Sequence, residues 1–309
     1  MKAYLVYQRE EAEKNKRFLE LFREAGKEFG IDFSYVSRED YRQKDLPDFV
    51  LNRTRDAEVS RWYEQEQVPV FHSSGITEIG NHKGKTLEFL RKRLPREVLQ
   101  RKWAPETIFL PKERLVEWQS AIALGNLDAL YELDQFWKQQ MPFVIKSVDG
   151  HGGSEVMAIW PPKKAERFDG FAEYCNQIYG KLDIIDGKDC ILQEMIPSDS
   201  RDVRVYILGN QIYLGMMRQG QGDFRSNASL GGHTEVYPLS DRERMFVELF
   251  LQAFQGEALG LAGLDFILTR DGRLVFNELE EMVGCRMLYQ KTDRNIVRDY
   301  VFWLYELLT

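Results

Sequence analysis

The stretch LAGLDFILTRDGRLVFNELEE, residues 261–281, sets Asp265, Glu278, Glu280 and Glu281 within or beside two apolar runs. Asp271-Gly272 between alternating hydrophobic segments signals a hairpin, because a type I′ turn needs positive φ at both central positions. With a two-residue loop, Arg270 faces Arg273 and Asp265 faces Glu278. Glu280 then falls on the same face, since side chains alternate with period two. Carboxylates clustered on one face repel one another unless a cation neutralises them, and a hard divalent ion held by oxygen ligands is the simplest resolution. The alternative is a solvated acidic edge, although the LVF run beside Glu278 implies a buried strand.

A second chemistry-bearing stretch is VIKSVDGHGGSEV, in which Lys146 precedes Gly150, Gly152, Gly153 and Ser154. Glycines let successive backbone N–H groups point at one anion, and a nearby ammonium adds a point charge, a combination suited to phosphate. The lysine comes before the glycines and no helix pattern follows, so this is not a P-loop. A flexible hairpin turn is an equally good reading. ILQEMIP ends an apolar strand at Glu194 and Met195, whose backbone suits an adenine edge or simply closes a core strand. DVRVYILG puts Asp202 and Arg204 on one strand face, spaced to pair with each other or with a ligand. MMRQGQGDFRSNASLGGH brings Arg218, Arg225, Ser226 and Asn227 into a long polar loop suited to oxyanions. Arg53 and Arg55 in LNRTRD, and Arg286, are the arginines that a substrate carboxylate would meet, with a helix cap or salt bridge as the plainer role. The four histidines lack metal-ligand spacing, and no GxSxG motif or Cys–His pairing points to nucleophilic catalysis.

The elements that must position these residues change character along the chain. YLVY, IDFSYVS, DFVLNR and VPVFHSS read as strands separated by helical patterns over residues 9–28 and in AEVSRWYEQEQ, a rhythm that predicts a parallel sheet in a small α/β unit. KTLEFLRKRL is a basic amphipathic helix, PETIFLP a strand, LDALYELDQFWKQQ a helix, and the glycine-rich stretch a pair of strands. Hairpins dominate after residue 190: CILQEMI, then DVRVYILGNQIYLGMMRQ with a Gly209-Asn210 turn, a helix near 240–257, the acidic hairpin and a C-terminal helix. The predicted organisation is an α/β unit over 1–80, an α+β unit over 81–190 with the glycine-rich loop, and a second α+β unit over 191–309 with the metal site.

The 309 residues, 43% hydrophobic and 29% charged, suit a globular protein with a sizeable core. A net charge of −7 argues against nucleic acid as principal partner. Three cysteines without CxxC spacing predict a reducing, cytoplasmic setting and neither a disulfide framework nor a zinc site. No segment has the apolar length of a membrane span, so no membrane partner is expected.

Taken in order, Lys83 with Lys85-Thr86, Lys146 before its glycines, QEMI, DVR, DFRSNASLGG, AGLDF and FNELE together resemble the ATP-grasp superfamily, and within it the RimK-like carboxylate–amine ligases. The likeness is strongest over 142–284 and weaker in the N-terminal unit. It implies an ATP-grasp fold, with a pre-ATP-grasp domain followed by two α+β subdomains that enclose ATP. By the resemblance, Lys146 and Lys83 meet ATP phosphates, Glu194 and Met195 bind adenine, and Asp202 contacts nucleotide. Arg225, Ser226 and Asn227 face phosphates, while Arg218, with Asn227, stabilises the oxyanion formed as an amine attacks an acyl phosphate. Asp265, Glu278 and Glu280 match the Mg²⁺ ligands, with Mn²⁺ as a substitute. One departure stands out: the family's usual Glu-x-Asn and Ser-Pro-Gly turn are replaced by Glu278-Leu279-Glu280 and Glu281-Met282-Val283-Gly284. The extra carboxylate keeps an oxygen ligand and adds charge, which alters metal preference, and the changed turn leaves the substrate open. The implied partners are a small-molecule or peptide carboxylate and an amine, in a monomer or homo-oligomer. Two rivals remain at this point: another ATP-dependent phosphotransferase, and a nucleotide-binding sensor without turnover.

Overall fold

The structure, a computed structural model, describes residues 1–161, 170–185, 187–220, 232–257 and 259–309. The chain begins β1 (Lys2–Tyr7), α1 (Arg9–Lys14), α2 (Lys16–Glu28), β2 (Asp32–Ser37), β3 (Phe49–Asn52), α3 (Ala57–Gln65), β4 (Val70–Phe71) and α4 (Ser74–Gly80). These strands form a parallel sheet in the order β2-β1-β3-β4, as the strand–helix rhythm predicts. Then follow α5 (Lys83–Arg93), α6 (Arg96–Leu99), β5 (Thr107–Leu110), α7 (Lys112–Ala123), α8 (Tyr131–Gln139), β6 (Phe143–Ser147), β7 (Val156–Ile159), α9 (Phe171–Tyr179) and β8 (Cys190–Glu194). Their antiparallel sheet runs β5-β8-β6-β7. The last part holds β9 (Arg201–Leu208), β10 (Gln211–Gln219), β11 (His233–Val236), α10 (Asp241–Gln252), β12 (Leu261–Leu268), β13 (Leu274–Glu280), α11 (Arg286–Lys291) and α12 (Ile296–Leu308). Here the antiparallel order is β11-β10-β9-β12-β13.

The two antiparallel sheets are apolar on one face and mixed on the other, and that alternation builds the cleft. In β6, Phe143 and Ile145 enter the central core, whereas Val144 and Lys146 line the cleft. In β9, Val203, Val205 and Ile207 pack into a core that also contains Phe250 of α10 and Leu87 and Leu90 of α5. The alternate residues Asp202 and Arg204 face the cleft. Helix α5, beyond the predicted division at residue 80, thus packs on the C-terminal sheet. The division at 190 falls at the start of β8, which pairs with β5 and β6 and belongs to the central sheet. At the other end α12 returns to the N-terminal unit, where Phe302 and Tyr300 meet Phe29 and Phe22 of the α2 region with ring centroids 5.4 and 6.2 Å apart.

Candidate functional site

A cavity of about 1420 Å³ opens between the central and C-terminal sheets and reaches the N-terminal unit. Its acidic corner is the predicted hairpin, with one correction. The connection is three residues long, Arg270-Asp271-Gly272, because the Thr269 amide bonds the Arg273 carbonyl at 2.9 Å and Leu268 pairs with Leu274. Arg270 therefore does not face Arg273. The register is restored by a bulge at Asn277: Phe266 pairs with Phe276, yet Asp265 pairs with Glu278. The extra residue turns Phe276 into the core and Glu278 out to the cleft, although the two are separated by two positions and would share a face in an unbroken strand. Asn277 is put to use there, since its Oδ1 accepts a 2.8 Å hydrogen bond from Lys146 Nζ across the cleft.

Oxygens of Asp265, Glu278 and Glu280 lie within 4.8 Å of one another. Part of the neutralisation comes from arginine, which the carboxylate-repulsion reasoning had left to a metal alone. Arg204 donates to both Asp265 oxygens at 2.7 Å and to Glu280 at 3.2 Å, and Arg218 donates to Asp265 at 2.6 Å. Burial by itself would raise the Asp265 carboxyl, 1% exposed, but the two guanidiniums hold it down at about 2. Glu278 makes no hydrogen bond to a described residue, and burial followed by repulsion from Glu280 pushes its carboxyl up. An all-oxygen set with an unpartnered, electrostatically strained Glu278 fits a hard divalent cation, with Asp265 contributing only the lone pair its arginines leave.

Asp202 and Arg204 do not pair with each other. Residues two apart on a strand point the same way in parallel, while directly opposed residues on adjacent strands come closer. Arg204 therefore pairs with Asp265 on β12, and Asp202 with Arg218 on β10, Nε to Oδ1 at 2.8 Å. Asp202 and Arg218 both line the cavity but are bound to one another and buried.

On the opposite wall, burial pushes the Lys146 ammonium down to about 8. Lys83, at the start of α5, donates from Nζ to the Gly150 carbonyl at 2.6 Å, and its amide bonds Val148 at 2.9 Å. The glycine-rich loop follows: Gly152 and Gly153 have φ of 68° and 77°, a region that favours glycine. Ser154, exposed, bonds back to the His151 carbonyl at 3.2 Å within this turn. A Cβ on Gly150 would displace the Ser147 hydroxyl and the Glu155 side chain, which hydrogen-bond to each other there.

Glu194 and Met195 line the cavity, yet the Glu194 carboxylate is tied to Lys102 at 2.7 Å and to the Glu106 amide at 2.9 Å. Their own amides go to the Glu106 and Pro142 carbonyls, at 3.2 and 3.0 Å. The next amide, Ile196, bonds no described residue and is the free donor of this segment. Val144, Val156 and Ile267 form the apolar walls nearby. Arg225, Ser226 and Asn227 lie outside the described residues. The structure thus brings together Lys83, Lys146, Gly150, Gly152, Gly153, Glu194, Met195, Asp202, Arg218 and the three acids around one cavity. The residues that sequence reasoning missed are Arg204 as the partner of Asp265, Asn277 as the partner of Lys146, and Ile196. For Arg204 the signal was present in DVR, and for Asn277 nothing local marks a bulge.

A family model for the RimK-like ATP-grasp domain matches residues 102–304. A probable alpha-L-glutamate ligase of Haemophilus influenzae is 27% identical over 164 residues, covering 53% of this chain and 50% of that protein. A protein of the same name from Coxiella burnetii is 30% identical over 164 residues, covering 52% and 50%. The chain spans about half the length of the curated relatives it matches. D-cycloserine synthetase DcsG superposes with a TM-score of 0.69 at 14% identity over 99% of this chain and 100% of that one. D-alanyl-alanine synthetase A of Vibrio cholerae gives 0.66 at 11% identity over 100% and 98%. At such identities the likeness is one of fold.

Proposed function

The chain belongs to the RimK-like ATP-grasp family, and we propose on that premise that it is an ATP-dependent carboxylate–amine ligase. In this reading the γ-phosphoryl group of ATP passes to a substrate carboxylate, an amine displaces phosphate from the resulting acyl phosphate, and an amide, ADP and phosphate are released. The observation that carries it is one cavity in which Lys146, Lys83 and a glycine-rich loop oppose Asp265, Glu278 and Glu280.

Each residue has a physical task. Val144, Val156 and Ile267 offer apolar walls to a flat base, and the free Ile196 amide offers a hydrogen bond to its edge. Lys146 and Lys83 place positive charge where phosphate oxygens would lie, and the loop closes over them to exclude water. Glu278, Glu280 and Asp265 would hold Mg²⁺, with Mn²⁺ as a substitute, and a bound ion would supply charge neutralisation on the phosphate oxygens. Arg218 and Arg204, fixed by buried carboxylates, are preorganised cations beside the same site, and such fixed donors can be worth ~3 kcal/mol to an anionic transition state. Arg225, Ser226 and Asn227 are proposed to complete the phosphate and oxyanion contacts. The relatives' name, alpha-L-glutamate ligase, makes amino acids and peptides the first substrates to try. Among the described residues no helix is long and apolar enough to cross a membrane, and three buried free cysteines favour a reducing, cytoplasmic setting.

The test is ADP release with Mg²⁺ and ATP against pools of acids and amines, with Glu278→Gln as control. Release that requires both an acid and an amine and disappears in the control establishes the ligase. ATP binding with no acceptor-stimulated ADP release from any pool would leave a nucleotide-binding protein without this activity.

A further inference from the structure

Helix α5 is capped by a histidine. The Nδ1 of His82 accepts from the Lys85 amide at 3.2 Å, and its carbonyl takes the Thr86 amide at 3.0 Å. Ser, Thr, Asp and Asn are the ordinary caps, and none of them loses its acceptor between about pH 5 and 8. An imidazole does, because Nδ1 accepts only while the ring is neutral with its proton on Nε2. Packing holds the ring in place: it stacks on Phe109 of β5, with centroids 6.5 Å apart and planes at 23°, and lies against Gly84, where a Cβ would stand 3.2 Å from its Cε1. The next residue, Lys83, is the first of the helix. Its amide donates to the Val148 carbonyl at 2.9 Å and its Nζ to the Gly150 carbonyl at 2.6 Å, while Leu87 and Leu90 further along α5 are seated in the C-terminal core. The capped turn therefore joins the glycine-rich loop to the sheet that carries the acids.

Four charged groups face the ring: Lys85 on its own helix, Glu78 on α4, Asp149 in the glycine-rich loop and Asp189 ahead of β8. Burial first, then Lys85, keeps the imidazole below its ordinary value of 6.5 against the pull of the two aspartates. The cap is thus made at neutral pH and lost in acid, where an imidazolium would also set a positive charge on the positive end of the helix dipole. In the ligase reading, on which this inference rests, Lys83 meets ATP phosphates. We infer that His82 is a positioning residue for Lys83: its neutral ring holds the first turn of α5, and with it the lysine, against the glycine-rich loop, so that protonation of the ring weakens nucleotide binding.

The experiment is calorimetric titration of ATP with Mg²⁺ into wild type, His82→Asn and His82→Ala, at about pH 7.5 and about pH 5, a range that spans imidazole titration. Asparagine places Oδ1 where the imidazole has Nδ1 and keeps its acceptor throughout. At the higher pH, wild type and His82→Asn should agree within about twofold, and His82→Ala should bind about three- to tenfold more weakly, the worth of one cap. At the lower pH, wild type should fall at least about twofold below His82→Asn, a ratio in which titration of ATP and of the other site groups cancels. In a Lys83→Met background the two substitutions should change nothing further. Nitrogen-15 spectra of the histidine rings, with His82→Asn identifying the signals, should show a neutral ring protonated on Nε2 at the higher pH, and circular dichroism checks that each variant folds. A ring protonated on Nδ1, an alanine variant that binds like wild type, a wild-type to asparagine ratio unmoved by acid, or an alanine defect that survives in Lys83→Met would each overturn the inference. Affinity is read without turnover, so the two readings fail separately. Cap-dependent ATP binding with no acceptor-stimulated ADP release removes the ligase and keeps the role of His82, whereas equal affinities in all three proteins with acid- and amine-dependent ADP release do the reverse.

Discussion

Replacing Lys146 with methionine should make the nucleotide-free protein more stable at neutral pH. The ammonium donates to Asn277 across the cleft, and burial holds it down at about 8 against the ordinary lysine value of 10.5. At ~1.4 kcal/mol per pH unit, that depression is a cost of at most about 3 kcal/mol for keeping the charge in the folded state. Water entering the open cleft screens part of it, so a gain of about 1–2 kcal/mol is expected. The Asn277 oxygen left behind faces the cavity and can be hydrated, which keeps the offsetting loss small. The sign in pH follows from linkage. Between about 8 and 10.5 the unfolded chain binds more protons at this lysine than the folded one, so the stability of the wild type rises with pH and the variant's advantage closes. Urea unfolding of both proteins at neutral pH and above pH 10.5 reads this difference directly. Adding Mg²⁺ and ATP should invert the order at neutral pH, since a ligand at a hundred times its Kd stabilises by about 2.7 kcal/mol only the protein that binds it. A variant less stable than wild type at neutral pH, or equal stabilisation of both by ATP, would refute the reasoning.

Four further outcomes are expected. Arg204→Met strips Asp265 of its bidentate partner and should cost about 3–5 kcal/mol in chemical denaturation, the loss typical of a broken buried ion pair. Glu278→Gln removes the unpartnered buried carboxylate, so the metal-free protein should keep or gain stability while Mg²⁺ affinity, read by titration calorimetry, falls at least about tenfold. Deleting Asn277 removes the bulge and makes Phe276 and Glu278 neighbours on opposite faces of a regular strand, so the variant should remain folded by circular dichroism, whereas an alanine inserted after Asn277 should lower the urea midpoint because it adds a second unpaired residue to the ladder. Ser240→Ala removes one half of the capping box with Glu243 and should lower stability by about 1 kcal/mol, seen as a shifted urea midpoint at constant slope.

The local elements were legible where one physical signal dominated. Strand–helix alternation predicted the parallel sheet β2-β1-β3-β4, and Gly209-Asn210, both with positive φ, turns β9 into β10 as the dipeptide indicates. Helices α7 and α9 carry a weaker signal, each burying only a few apolar residues at helical spacing: Leu115, Trp118 and Ile122 in one, Tyr174, Cys175 and Ile178 in the other. The acidic hairpin is more instructive. Counting from a two-residue turn pairs Asp265 with Glu278, and the pairing exists, but a longer turn and a bulge produce it by compensating each other. Register is set by which side chains the core accepts, and no property of the hairpin's own sequence reveals that Phe276 must meet Phe266 and Phe250.

The sequence by itself determined which groups are available: the acids of the last hairpin, the lysine ahead of the glycines, the arginines of DVR and MMR, and the order that identifies the family. Tertiary structure alone decided their partners. Side chains along one strand stand too far apart to satisfy one another, so Arg204 turned to Asp265, Arg218 to Asp202, and Lys146 to Asn277 on another sheet. Charge pairing in a buried cleft is a matter of a few ångströms between elements distant in sequence, and those distances exist only once the cores behind them have packed.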